Sequence, residues 1–250
     1  MESDATRAHY ERLADRFDEN WDYSPEFVSW MTENLIKRLN LTPGKSRLLD
    51  VGSGTGLYAR GMVEHTAVAV CTDLSPAMLE QLPTDDRLVP LVASAEDLAA
   101  GLVRPPGDGY NAILMKEVVH HLGDPEQVLV GLSRLLRPGG RILVAMLPST
   151  IDYPLFSAAL DLFRERQPSP DSIAAAMNRA GLQTELTYDE FPLIFTVERY
   201  TQMVRNRYMS LLASFNDAEL EAGVSEIRRK HPGPEVRFPD RFAFVLGVKA

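Results

Sequence analysis

Five short apolar runs alternate along the chain with stretches in which apolar residues recur every three or four positions. The runs are Arg47 to Val51, Ala67 to Thr72, Leu88 to Ala93, Asn111 to Met115 and Arg141 to Leu147. The helical stretches lie near 57–65, 76–82, 95–101 and 125–137. Continuous apolar strands separated by helices predict a parallel sheet covered on both faces. A repeat of about 20–30 residues leaves room for a helical crossover in each unit. "RPGG" at 137–140 reads as a helix stop and a turn before the fifth strand.

The flanks follow other patterns. Residues 1–22 read as a polar amphipathic helix, with Tyr10, Leu13, Ala14 and Phe17 at helical spacing. "DYSP" breaks it, and Pro25 opens a second helix in which Phe27, Met31, Leu35 and Leu39 repeat every four residues. After Leu147, residues 152–166 and 170–180 are expected to be helical, 183–189 a strand, 196–231 helical again and 241–249 a last strand. A helical segment between two strands reads as an inserted cap.

Composition narrows the class. A chain of 250 residues that is 45% hydrophobic and 24% charged can bury a sizeable core. Its formal net charge of -9 argues against a nucleic-acid partner. Cys71 is the one cysteine, so neither an internal disulfide nor a cysteine metal cluster can form, and its apolar run "AVAVC" marks it as a buried strand residue. The charged N-terminus has no apolar signal region, and no run approaches the ~18 apolar residues of a membrane span. The expected location is the cytoplasm.

The chemistry concentrates at "LLDVGSGTGLYA", residues 48–59. Gly52, Gly54 and Gly56 follow directly on a strand and precede a helix, which lets a ligand approach the backbone at the carboxyl end of the first strand. The dinucleotide fingerprint G-x-G-x-x-G is not met, because Leu57 stands where its third glycine belongs. No Lys-Ser/Thr pair follows, which excludes a phosphate loop. Asp73 ends the second strand, 21 residues beyond Gly52, where a carboxylate can accept from ribose hydroxyls. A ribose with no phosphate contact suggests a nucleoside with a charged tail.

With "LLDVGSGTG" (48–56), "TDLSPAML" (72–79), "ASAEDL" (93–98), "ILMKEVVHHLGDP" (113–125) and "LLRPGG" (135–140), the sequence resembles the class I S-adenosylmethionine-dependent methyltransferases of small-molecule type. The resemblance covers about residues 45–147. It implies an α/β fold: a doubly wound, mostly parallel, Rossmann-like seven-stranded sheet. The expected organisation is an N-terminal helical lid at 1–40, a cofactor-binding core at 41–195 and 240–250, and a helical cap at 196–239. It also implies the cofactor, S-adenosyl-L-methionine, with S-adenosyl-L-homocysteine as product. Asp50 and the backbone of Gly52, Ser53, Gly54 and Gly56 would hold its methionine moiety, and Asp73 its ribose. Leu74 and Met78 would flank the adenine, with Ser94, Ala95 and Glu96 at its edge. Ser94 stands where many relatives have Asp, and "SAED" is equally a helix-capping pattern. Lys116 would contribute its backbone and extend its side chain to solvent, with His121 close by.

Other roles rest on residue chemistry. His120 is a candidate general base for an acceptor hydroxyl, since histidine titrates near neutral pH, with Glu117 a weaker candidate. Tyr23 is the preferred lid residue against the sulfonium, by face-on contact of an aromatic ring with a cation, and Tyr10 a possible acceptor contact. In "VRNRYMSLL" (204–212), Arg207 or Tyr208 is expected to face the acceptor. The apolar segments "EFPLIFTVERY" and "RYMSLL" suggest a partly hydrophobic acceptor. The reading is methyl transfer to a small organic molecule, O-methylation ahead of N- or C-methylation, by a monomer or homodimer. A cofactor-binding relative with a non-methylating role such as cyclisation, a nicotinamide oxidoreductase and an inactive partner subunit are the alternatives.

Overall fold

The computed structural model describes residues 24–250. The expected first helix, with Tyr10 and Tyr23, lies outside them. Helix α1 (Pro25–Leu39) starts where Ser24 Oγ accepts from the Phe27 amide, with Pro25 at its first position, and ends at Asn40 in the left-handed conformation. Its buried stripe contains Phe27, Met31, Leu35 and Leu39, the four-residue repeat read from the sequence.

The alternating core follows: β1 (Arg47–Val51), α2 (Ala59–Met62), β2 (Val68–Asp73), α3 (Pro76–Leu79), β3 (Leu88–Val92), α4 (Ala95–Ala100), β4 (Tyr110–Lys116), α5 (Pro125–Ser133) and β5 (Leu136–Met146). Then come α6 (Ser157–Arg166), α7 (Pro170–Arg179), β6 (Leu182–Thr196), α8 (Val197–Arg205), α9 (Asp217–Lys230) and β7 (Glu235–Lys249). The seven strands form one sheet in the order β3-β2-β1-β4-β5-β7-β6. The first five pair in parallel, and β7 runs antiparallel to both of its neighbours. Side-chain alternation splits the core in two. Leu48, Cys71, Leu114, Leu143 and Phe244 face α1, whereas Leu49, Val70, Ile113, Val144 and Val245 face α4, α5 and α7. Strand order reverses between β1 and β4, so a crevice opens at their carboxyl ends.

The second face depends on one close approach. A Cβ at Gly131 would lie 2.3 Å from the Ala99 carbonyl oxygen, a backbone atom that cannot swing aside. Gly131→Ala is expected to destabilise the protein by about 1–3 kcal/mol through overpacking. Denaturant unfolding measures this, and an unchanged midpoint contradicts the packing.

Three boundaries differ from the sequence expectation. "RPGG" does not precede β5 but lies within it, with Gly139 at φ 73° and a register break opposite Tyr110 and Ala112. The helix expected over 152–166 begins only at Ser157, and the preceding Tyr153, Leu155 and Phe156 are buried without helical structure. Strands β6 and β7 are each 15 residues long, so β6 runs seven residues beyond the expected 183–189 and β7 begins at Glu235 rather than at 241. Leu193 and Phe195 are buried between exposed neighbours, one of which is Pro192. Proline is tolerated because β6 is an edge strand. Since β5 pairs with β7 only as far as Ala243, the far ends of β6 and β7 continue as a two-stranded ribbon.

Helix α8 rests on that ribbon, and α9 packs against α8. Tyr200, Tyr208, Leu212, Leu220, Val224 and Ile227 are all buried there. Most apolar residues of "EFPLIFTVERY" and "RYMSLL" are buried in packing this region, while Ile194 is exposed. No helix among the described residues is long and apolar enough to cross a membrane.

Candidate active site

The glycine turn is shaped by its own backbone. Gly52, Gly54 and Gly56 have φ of 72°, 55° and 76°, which only glycine adopts without strain. The Thr72 carbonyl accepts from both the Gly52 and Ser53 amides, at 2.8 and 2.9 Å, and so ties the turn to the end of β2. Asp73 completes the tie: Oδ2 accepts from the Gly54 amide at 3.0 Å and Oδ1 from the Ser75 amide at 2.9 Å. Both carboxylate oxygens are thereby oriented while keeping lone pairs for a ligand. Burial raises the Asp73 pKa, and the amides of Ser75, Gly54 and Leu74 oppose that shift.

Asp50 sits beneath the turn and is 4% exposed. No side-chain or backbone donor among the described residues bonds its carboxylate. Burial, then the charge of Asp73, pushes its pKa up to about 7, with Lys116 opposing. A buried carboxylate in that condition calls for a cation.

The adenine-edge candidates are split. Met78 and Ala95 are buried, Leu74 is half-buried and Glu96 is exposed. Ser94 caps α4, its Oγ accepting from the Asp97 amide at 2.9 Å, so the capping pattern in "SAED" is realised and its hydroxyl proton and one lone pair are left to offer.

Beyond β4, Lys116 does not extend to solvent as expected. Its Nζ lies 4.7 Å from the Tyr58 ring centroid and 5.0 Å from that of Phe242, held by cation–π attraction. Burial lowers its pKa, while Glu117, Asp240 and Asp50 favour its charged form. Glu117 adopts φ 56° and ties the strand end down: its amide donates to the Ala145 carbonyl and its carboxylate accepts from the Leu147 amide, both at 2.9 Å. The His120 and His121 rings are tilted by 50° with centroids 4.0 Å apart. Burial pushes the His120 pKa down to about 4, and its Nδ1 has no partner. A histidine so poised is neutral at pH 7 and a weak base.

Two further candidates follow α8 in the chain. Arg207 donates to Asp217 at 2.7 Å and to the Phe215 carbonyl at 3.0 Å, which engages its guanidinium within the cap. Tyr208 is buried with its hydroxyl 3.2 Å from that of Tyr200. The continuous helix expected over 196–231 is interrupted here, because α8 ends at Arg205 and Arg207 has φ 55°.

The structure adds residues that the sequence did not mark. Asp240 on β7 is fully buried, Tyr153 donates to its Oδ1 at 2.6 Å, and Oδ2 has no partner. Tyr58 and Phe242 enclose Lys116. The one local signal was a lone carboxylate in "RFPDRFAFVLGV", between Arg237 and Arg241 on a largely apolar strand. Among the described residues no group of three or more His, Cys, Asp or Glu could hold a metal ion.

Comparison with known proteins agrees with this arrangement. Residues 49–142 match the methyltransferase domain family. The ubiquinone biosynthesis O-methyltransferase of Xanthomonas axonopodis pv. citri is 29% identical over 161 residues, 58% of this chain and 66% of that protein. The chain spans less than two thirds of the length of the curated relatives it matches. Among solved structures, phosphoethanolamine N-methyltransferase 2 of Haemonchus contortus, in complex with S-adenosylhomocysteine, superposes with a TM-score of 0.60 at 18% identity, over 97% of this chain and 59% of that one. The geranyl diphosphate C-methyltransferase of Streptomyces coelicolor gives a TM-score of 0.56 at 17% identity, over 89% and 78%. These two share the fold while differing in the atom methylated. Residues 49–142 thus carry a methyltransferase domain, and the fold around them is that of solved S-adenosylmethionine-dependent methyltransferases.

Proposed function

We propose that the protein transfers a methyl group to a hydroxyl oxygen of a small organic acceptor. The observation that carries this reading is the carboxylate of Asp50, buried beneath the glycine turn with no hydrogen-bond donor among the described residues. The ammonium of the cofactor's methionine moiety is a cation of the right kind for it. The turn amides and the oriented Asp73 carboxylate suit the carboxylate and ribose of the same molecule. Leu74, Met78, Ala95 and Ser94 are the groups available to its adenine. When bound, the cofactor supplies an electrophilic methyl group on a positively charged sulfur.

The chain's task is then alignment and exclusion of water. Fixing acceptor and methyl carbon in line can account for roughly 7–11 kcal/mol of the barrier in favourable model systems. The choice of oxygen follows the O-methyltransferase relatives and the presence of the Lys116 ammonium and the buried Asp240 carboxyl at this end of the sheet. The weak basicity of buried His120 shifts the search for a proton acceptor away from it.

Titration calorimetry tests the reading. Micromolar binding of S-adenosylmethionine and S-adenosylhomocysteine, with no binding of NADH, is expected, and Asp73→Ala is expected to weaken it at least tenfold. Binding of NADH in place of the sulfonium cofactor would refute the assignment of the glycine turn. Cofactor binding without transfer to any hydroxyl compound would favour a non-methylating role.

A further inference from the structure

Asp240 and Lys116 are two charged groups that the cofactor does not account for. Asp240 is fully buried, its Oδ1 is taken by Tyr153, and its Oδ2 is unpartnered. Buried polar atoms are nearly always satisfied, so an open oxygen at the carboxyl end of the sheet needs a proton donor. Lys116 makes no contact ion pair among the described residues, although its charge acts on both Asp50 and Asp240. Its Nζ lies 5.0 Å from the ring of Phe242, which is two residues from Asp240 on β7 and therefore on the same face of that strand. A lysine ammonium beside a bound sulfonium brings two cations together. That arrangement is favourable when an anionic oxygen lies between them.

We propose that Lys116 and Asp240 form the acceptor-oxygen subsite, with Tyr153 as a positioning residue, and that the acceptor is an ionisable hydroxyl of the phenol or enol class. The inference rests on the methyl-transfer reading above and deepens it. The acceptor O–H bond breaks and its proton passes to Asp240 Oδ2. The oxygen bonds the methyl carbon as the carbon–sulfur bond breaks, and that electron pair stays on sulfur. Lys116 holds the oxygen while its negative charge develops, and the rings of Tyr58 and Phe242 hold Lys116. Tyr153 fixes the Asp240 carboxyl so that Oδ2 is the oxygen presented.

The surroundings agree. Groups acting on Asp240 are Tyr153 from the segment after β5, Lys116 and Glu117 from the end of β4, and Tyr208 from the segment after α8. Burial pushes the Asp240 pKa up to about 7, near the value at which a base is most effective at neutral pH. A protonated amine acceptor would be repelled by Lys116, and a neutral amine would need neither group.

The test uses the full chain and the variants Asp240→Asn, Lys116→Met and Tyr153→Phe, with cofactor affinity measured for each. Transfer of labelled methyl is followed to a series of phenols of graded acidity ending in 4-nitrophenol, and to matched anilines. Phenols are expected to be methylated and anilines not. Asp240→Asn is expected to lower kcat/KM about 10²–10⁴-fold for weakly acidic phenols. Its effect on 4-nitrophenol, already largely ionised, is expected to be less than tenfold. Structural damage would not grade with acceptor acidity. Lys116→Met should slow the whole series, and Tyr153→Phe should produce a smaller loss graded like that of Asp240→Asn. A readout without turnover is the phenolate absorbance of 4-nitrophenol added to the S-adenosylhomocysteine complex. Its ionisation midpoint should fall on binding, and Lys116→Met should abolish the fall. An equal Asp240→Asn deficit across the series, preference for anilines, or cofactor binding with no phenol accepted overturns the subsite while leaving the cofactor assignment intact. Failure of the wild-type protein to bind cofactor overturns both.

Discussion

Asp50→Asn is expected to weaken S-adenosylmethionine binding about 10²–10³-fold at pH 7.5, the cost of removing one partner of a buried ion pair. The same substitution should raise the stability of the cofactor-free protein at pH 8, because it removes a buried charge that no described hydrogen bond satisfies. Opposite signs for the two effects distinguish a ligand-holding carboxylate from a structural one. Calorimetric titration and thermal unfolding measure them, and unchanged affinity would refute the proposed role.

The pH dependence follows from the same group. Burial raises the Asp50 pKa from 3.8 to about 7, so the folded protein holds this proton more tightly than the unfolded chain. Its contribution to stability is fully present below about pH 4 and is lost as pH rises through about 7. Asp240, also raised to about 7 by burial, adds a second contribution of the same sign. A cationic ligand over Asp50 favours the carboxylate. Cofactor binding near pH 6 should therefore release a proton, and affinity should rise with pH until about 7. Above about 8 the ligand's own α-amino group loses its proton and affinity should fall again. In Asp50→Asn the proton release should vanish, while the contribution of Asp240 to stability persists.

The sheet was legible in the sequence because parallel strands buried on both faces leave unbroken apolar runs, as in Arg47–Val51 and Tyr110–Lys116. The turn was legible because a left-handed backbone calls for glycine, and Asp73 because it ends the neighbouring strand. The Lys116 environment was not, since a lysine at a strand end ordinarily reaches water, and its two rings come from residues 58 and 242. Asp240 meets Tyr153 across 87 residues, a contact created by the antiparallel register of β7 and invisible to any local pattern. The expected helical continuity through Arg207 and Tyr208 failed for a local reason: α8 ends at Arg205, and Arg207 takes a positive φ.

Gly52→Ala is expected to be the most damaging substitution of the turn. A Cβ there would lie 2.3 Å from Val118 Cγ2, and Val118, β-branched and half-buried, has little freedom to move. The conformation adds its own cost: φ is 72°, and a left-handed alanine costs about 1–2 kcal/mol relative to the helical region. Overlap of this kind adds about 1–3 kcal/mol. Together these lower the melting temperature by roughly 4–20 °C for a chain of this size, at about 2–4 °C per kcal/mol. The two costs separate in the double variant Gly52→Ala/Val118→Ala, which relieves the overlap but not the strain. It should regain up to about 3 kcal/mol of packing relief, less whatever the smaller side chain at position 118 costs by itself. Cofactor affinity should stay low in both variants, because the Gly52 and Ser53 amides that meet the Thr72 carbonyl are displaced with the turn. A double variant that regains full affinity would show that packing against Val118, and not the left-handed backbone, is what this glycine secures.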